Sequence, residues 1–150
     1  MTRINATIPP SALCDQHLVA EYREILRTIA LATKKPVIES RLPKQFTLGT
    51  GHVLFFYNKL KYIHLRFNAL RDELIKRRFE VNMEYDPTKV VGHEHLYNDW
   101  AGTDEAKELV IDRIYERALT MKRITHYGIS ITADQYHLRL TNCITLCMKY

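Results

Sequence analysis

Hydrophobic and polar positions recur with a helical period in three stretches of this 150-residue chain. The first runs from Asp15 to about Lys34. At about 100° per residue, Leu18, Val19, Tyr22, Ile25, Leu26 and Ile29 fall on one arc. His17, Glu21, Arg23, Glu24 and Arg27 fall opposite, with Ala20 between. The pattern predicts a helix with one face for a core and one for chemistry or solvent. Pro9-Pro10 breaks the segment before it, Ser11 or Asp15 supplies a cap, and Lys34-Lys35-Pro36 ends it. A loop over 36–47 ends near Pro43, and Gly49-Thr50-Gly51 reads as a turn opening the second stretch. That stretch, 51–79, is spaced helically through Leu60, Ile63, Phe67, Leu70, Leu74 and Ile75, with a bend placed near Tyr57-Asn58. Residues 80–103 hold Pro87, Gly92 and Gly102 without a period and read as a long loop. Thr103 or Asp104 caps a third helix to about Arg123, with Ala106, Leu109, Val110, Ile114 and Leu119 inward. Tyr136, Leu138 and Leu140 alternate with polar residues, which suits a short strand or an irregular tail over 129–150. The predicted class is all-α, or mainly α.

Composition narrows the setting. Apolar content of 46% and charged content of 26% describe a globular chain of one-domain size, able to bury its own core. No apolar run approaches the roughly 20 residues that span a bilayer, and the N-terminus lacks an apolar signal core. Cys14, Cys143 and Cys147 are too few and odd in number for a disulfide framework. A cytoplasmic monomer without membrane contact is the expectation. The net charge of +5 favours a polyanionic partner.

The N-terminal segment carries the candidate chemistry. Thr2 is small, so loss of Met1 is expected and exposes its α-amine. An α-amine has a reference pKa of roughly 7.7–8.0, so a sizeable fraction is neutral and nucleophilic near neutrality. Such an amine forms a Schiff base with a carbonyl-like carbon. Glu24, Arg23 and Arg27 follow on the polar arc of the first helix, a carboxylate with cations suited to a sugar–phosphate. Arg23 and Arg27 lie one turn apart and can grip neighbouring phosphates, or simply form an exposed basic face. Glu24 can equally be a solvated carboxylate paired with either arginine. His17 and Glu21 share a face, where either binds phosphate or hydrogen-bonds the other. Lys76-Arg77-Arg78 reads as a solvated helix end complementing the dipole. His93-Glu94-His95 lacks a third ligand at metal-site spacing, so no metal is assigned.

These residues resemble the pyrimidine-dimer DNA glycosylases of the phage endonuclease V type. Thr2-Arg3-Ile4-Asn5 and Asp15-Gln16-His17-Leu18, with Ala20-Glu21-Tyr22-Arg23-Glu24, are similar to that family's opening motif. A second block runs from Phe46 through Gly49, Gly51-His52-Val53 and Phe55-Phe56-Tyr57 to Lys59-Leu60. It continues through Arg66, Leu70, Glu73, Lys76, Arg77 and Phe79, and a weaker third match spans Asp104 to Gly128. The resemblance implies a compact single-domain three-helix fold with the N-terminal arm between helices. It divides the chain into a glycosylase-like domain, 1–128, and an unmatched, irregular C-terminal extension, 129–150, packed on it. It implies a DNA repair enzyme for double-stranded, ultraviolet-damaged DNA, without metal or organic cofactor, placed in the cytoplasm (the host's, for a viral protein). Thr2 and Glu24 are then catalytic. Arg3, Gln16, His17, Arg23 and Arg27 face DNA, joined by Arg113 and Arg117. The stretch Met121–Gly128 departs from the family's aromatic, basic ending, with Tyr127 its one aromatic residue.

The implied reaction is base excision followed by strand cleavage. The Thr2 amine attacks C1′, expels the pyrimidine and leaves an imine. Loss of a C2′ proton then expels the 3′ phosphate by β-elimination. Glu24 stabilises the developing cationic sugar and assists proton transfer. Two alternatives stay open: the same chemistry on another damaged or modified base, and a catalytically silent DNA-binding relative.

Overall fold

The computed structural model describes residues 4–147, with side chains as far as Cys143, so Thr2 and Arg3 lie outside the described residues. The structure is mainly helical, as the periodicity predicts: α1 spans Asp15–Glu24, α2 Arg27–Lys34, α3 His52–Phe55, α4 Leu60–Lys76 and α5 Asp104–Ala118. A hairpin of β1, Ile124–His126, and β2, Ile129–Ile131, leads into α6, Ala133–Cys147. The chain resolves into two compact units. One holds Ile4 and Glu21–Ala101; the other holds Asn5–Ala20 and, among the described residues, 102–147.

In the first unit α4 carries the longest apolar stripe. Leu60, Ile63, Phe67, Leu70 and Leu74 are buried at helical spacing, joined by Ile25, Ile29 and Ala32. Ile75, predicted inward, is 48% exposed, because one residue past Leu74 turns it off the stripe. The bend expected near Tyr57 is found as the break between α3 and α4. There Lys59 Nζ donates to the Phe55 carbonyl at 2.9 Å and lies 3.8 Å above the Phe55 ring. Phe46, Phe55, Phe56, Tyr62 and Trp100 pack mostly edge-to-face around that corner. His64 stacks on Tyr85 and shares a 2.8 Å hydrogen bond with the Tyr97 hydroxyl, tethering the 80–103 loop to α4.

In the second unit α5 and α6 pack together, and Val110 and Ile114 of the one and Tyr136 and Leu140 of the other are nearly inaccessible. Thr103 caps α5 by accepting from the Ala106 amide at 3.1 Å. Leu109 and Leu119, expected inward, are 43% and 60% exposed. Helix α5 stops at Ala118, so Leu119 lies past its end and Leu109 faces away from the Ala106–Val110–Ile114 stripe.

Two expectations are corrected. The extension beyond Gly128 is not irregular: it forms β2 and the 15-residue α6. A capping box fixes the start of that helix, with Thr132 N–H donating to Gln135 Oε1 at 2.9 Å and Gln135 N–H donating to Thr132 Oγ1 at 3.1 Å. The long first helix is also broken. Residues 25–26 form a turn, and the Thr28 amide donates back to Ile25 at 3.1 Å rather than one residue further. No Pro or Gly marks the site, so tertiary packing of Ile25, Thr28 and Ile29, all buried, produces the break.

Candidate active site on the first unit

Glu24 is the last residue of α1, half-buried just before the break. Among the described residues its carboxylate has no hydrogen-bond or ion-pair partner. Arg23 and Arg27, both exposed, likewise have none among the described residues. The pairing of Glu24 with either arginine is therefore not what holds it. Local helix energetics does not explain it either, since an acid at a helix C-terminus faces the negative end of the dipole. The result is an uncommitted carboxylate flanked in sequence by two uncommitted guanidinium groups.

What fixes this helix end is a buried ion pair. Arg66 of α4 donates from Nε to Glu21 Oε1 at 2.8 Å and from an Nη to Oε2 at 3.1 Å. The two side chains are 7% and 1% exposed. Burial opposes the Arg66 charge, but the Glu21 charge and its hydrogen bonds outweigh it, and the Arg66 pKa stands above its ordinary value. Glu21 was expected on the solvent or chemistry face. Instead it is nearly inaccessible, because Arg66 gives its charge a bidentate partner inside the unit. One residue on, Tyr22 stacks on Phe67 at 5.4 Å, and its hydroxyl accepts the Met83 amide at 2.9 Å.

The N-terminal arm has its own anchor in this unit. Ile4 is fully buried, and its backbone N–H donates to His52 Nε2 at 3.0 Å. His52 Nδ1 faces the Thr47 carbonyl at 3.0 Å, and the ring is 1% exposed.

The chain matches the family model of the pyrimidine dimer DNA glycosylases over residues 1–87. It belongs to that family. Membership makes this a DNA glycosylase of the repair class, with DNA as substrate. The matched span contains α1 to α4, and with them Glu24, Arg23, Arg27, the Glu21–Arg66 pair and His52. Arg113, Arg117 and the whole hairpin lie beyond it.

The other residues expected to face DNA in this glycosylase belong to the second unit. The Gln16 side chain is clasped to Thr125: its Oε1 accepts the Thr125 amide and its Nε2 donates to the Thr125 hydroxyl, both at 3.0 Å. His17 Nδ1 shares a 2.9 Å hydrogen bond with the buried Tyr136 hydroxyl. Arg113 donates to Asn5 Oδ1 at 3.2 Å, whereas exposed Arg117 has no side-chain partner among the described residues. Asp15 organises the hairpin tip. It accepts the Thr125 hydroxyl at 2.7 Å and the Tyr127 and Gly128 amides at 3.2 and 2.9 Å.

Periodicity does not mark His52, Arg66 or Asp15 as buried polar partners. Their signal was present, since all three stand inside the motif blocks, but single-sequence periodicity does not say which buried polar residues pair. Among the described residues no three His, Cys, Asp or Glu side chains converge as metal ligands, and no helix is long and apolar enough to cross a membrane.

Proposed function

We propose that this protein excises a base of an ultraviolet-induced pyrimidine dimer and then cleaves the abasic strand, using the α-amine of Thr2. The amine attacks C1′ and the glycosidic bond breaks, its electron pair leaving with the pyrimidine, which takes up a proton. Opening of the sugar ring, with O4′ protonated, gives the imine. Removal of a C2′ proton turns the imine into an enamine, whose electron pair then forms the C2′–C3′ double bond as the C3′–O bond breaks and its pair leaves with the phosphate. Water then releases the enzyme from the sugar. Glu24 holds the developing positive charge and carries protons at C2′ and O4′.

The observation that carries this reading is the state of Glu24: half-buried, without a partner among the described residues, and set in sequence between exposed Arg23 and Arg27, whose side chains likewise have none there. A carboxylate already spent on a salt bridge would have to release its partner before serving a cationic sugar. Family membership and the buried, anchored Ile4 in the same unit support the nucleophile. Arg3, Arg23 and Arg27 are assigned to phosphates. Gln16, His17, Arg113 and Arg117 are assigned to DNA contact on the second unit. The test compares duplexes carrying a single pyrimidine dimer, a single abasic site, or neither. Nicking of the first two and not the third is expected. Nicking of abasic DNA alone would leave a lyase and remove the dimer from its substrates.

A further inference from the structure

A nucleophile at the chain terminus needs its arm held. Two residues of extended chain span at most about 7 Å. Fixing the Ile4 amide therefore confines the α-amine of residue 2 to a sphere of that radius. The Ile4 side chain is fully buried and its N–H is bonded to His52 Nε2 at 3.0 Å, so this residue is held by backbone and side chain together.

The chemistry of His52 makes that bond specific. The Thr47 carbonyl, 3.0 Å from Nδ1, can only accept, so Nδ1 carries the proton. Nε2 is then bare and accepts the Ile4 N–H; a doubly protonated ring would face that donor with another. Phe46 and Phe56 meet the ring edge-on, at 5.4 Å and 88° and at 5.7 Å and 86°. The turn before it depends on Gly51, where a Cβ would lie 2.9 Å from Thr47 Cγ2 and 3.1 Å from Pro43 Cγ. A side chain there would have to displace the Thr47 and Pro43 side chains that pack beside the turn.

We propose that His52 is a positioning residue for the N-terminal nucleophile, its neutral Nε2 fixing the Ile4 amide and thereby the approach of the residue 2 amine to C1′. This rests on the reading that Thr2 supplies the amine. A loosened arm still binds DNA but reaches the near-attack geometry less often, and misplacement of about 1 Å costs on the order of 10²-fold in rate.

Two substitutions separate the halves of the imidazole. His52→Asn puts an amide nitrogen near Nδ1, keeping the donor to Thr47 and losing the acceptor for Ile4. His52→Gln puts an amide oxygen near Nε2, keeping that acceptor and losing the donor. The full chain is mixed in single turnover with a duplex bearing one abasic site and borohydride, and the rate of covalent trapping is read. Affinity for the same duplex and Tm are measured alongside. We expect His52→Asn to trap about 10–100-fold more slowly with affinity unchanged, and His52→Gln to recover most of the rate at a similar Tm. If His52→Asn does not fold, Ile4→Pro deletes the donor together with the buried side chain, and Ile4→Ala, which keeps the N–H, measures the side-chain share; Ile4→Pro trapping no more slowly than Ile4→Ala overturns the proposal. Trapping at the wild-type rate by a folded His52→Asn, or equal slowing in both His52 variants, overturns the proposal. The wild-type adduct separates the two claims. An adduct on an internal lysine removes the Thr2 reading itself, whereas an adduct on residue 2 that forms equally fast in His52→Asn removes only the role of His52.

Discussion

Arg66→Met tests what holds the C-terminal end of α1, where the proposed catalytic Glu24 stands. Methionine roughly fills the volume but leaves Glu21, 1% exposed, without the bidentate partner at 2.8 and 3.1 Å. Removing one member of a buried pair costs about 3–5 kcal/mol, because the remaining charge stays buried. For a chain of this size each kcal/mol moves Tm by about 2–4 °C, so a drop of about 6–20 °C is expected. The double variant Glu21→Leu with Arg66→Met removes both charges and should return to within about 1–2 kcal/mol of wild type, since an apolar pair of similar volume replaces a buried ion pair at little cost. Urea unfolding followed by circular dichroism supplies the three free energies and hence the coupling. Activity adds a second readout. Glu21 lies three residues before Glu24 on one helix, so the stable double variant should still lose nicking if the pair orients that carboxylate. A destabilisation below about 1 kcal/mol in Arg66→Met would refute the argument.

Glu24→Gln should leave Tm nearly unchanged, because no partner among the described residues is lost, while base excision falls by about 2.7–4 kcal/mol in transition-state stabilisation, read as single-turnover nicking of dimer DNA. Arg23→Gln with Arg27→Gln should lower the slope of log affinity against log salt by about 1.8, at about 0.9 per phosphate contact; an unchanged slope would place DNA on another face. Asp15→Ala strips three donors of their buried acceptor and should cost roughly 3 kcal/mol or more, measured by chemical unfolding. Burial pushes the Cys14 thiol pKa above its ordinary value. The unfolded chain therefore ionises first as pH rises, so stability should decline above about pH 8.5, and Cys14 should resist alkylation in the folded protein at pH 8.

Helical period was legible where an apolar stripe repeats for several turns, as in α4, whose core residues are those the spacing named apart from Ile75. It failed where tertiary contacts override local preference. Nothing in the segment Glu24-Ile25-Leu26-Arg27 disfavours a helix, yet α1 ends there. Leaving Glu24 at a helix end, rather than mid-helix, is a consequence no propensity argument reaches. Glu21 shows the complementary failure. Its place on the polar arc was correct as an angle, but a partner 45 residues away converts that direction into interior. The extension was misread because Tyr136, Leu138 and Leu140 alternate over too few residues to separate a period of two from one of 3.6. In the structure Tyr136 and Leu140 are buried and Leu138 is 58% exposed, the i, i+4 pattern of a helix. The family resemblance reached the candidate carboxylate and arginines, but the polar supports around them depend on long-range pairing.

In the proposed mechanism the amine of residue 2 forms the covalent intermediate. The direct measurement is borohydride reduction of the wild-type protein on a duplex bearing one pyrimidine dimer, followed by proteolysis and mass analysis of the crosslinked peptide. One adduct is expected, on the α-nitrogen of Thr2 in a chain lacking Met1. An adduct on a lysine side chain, or nicking of the dimer without any trapped species, would contradict it.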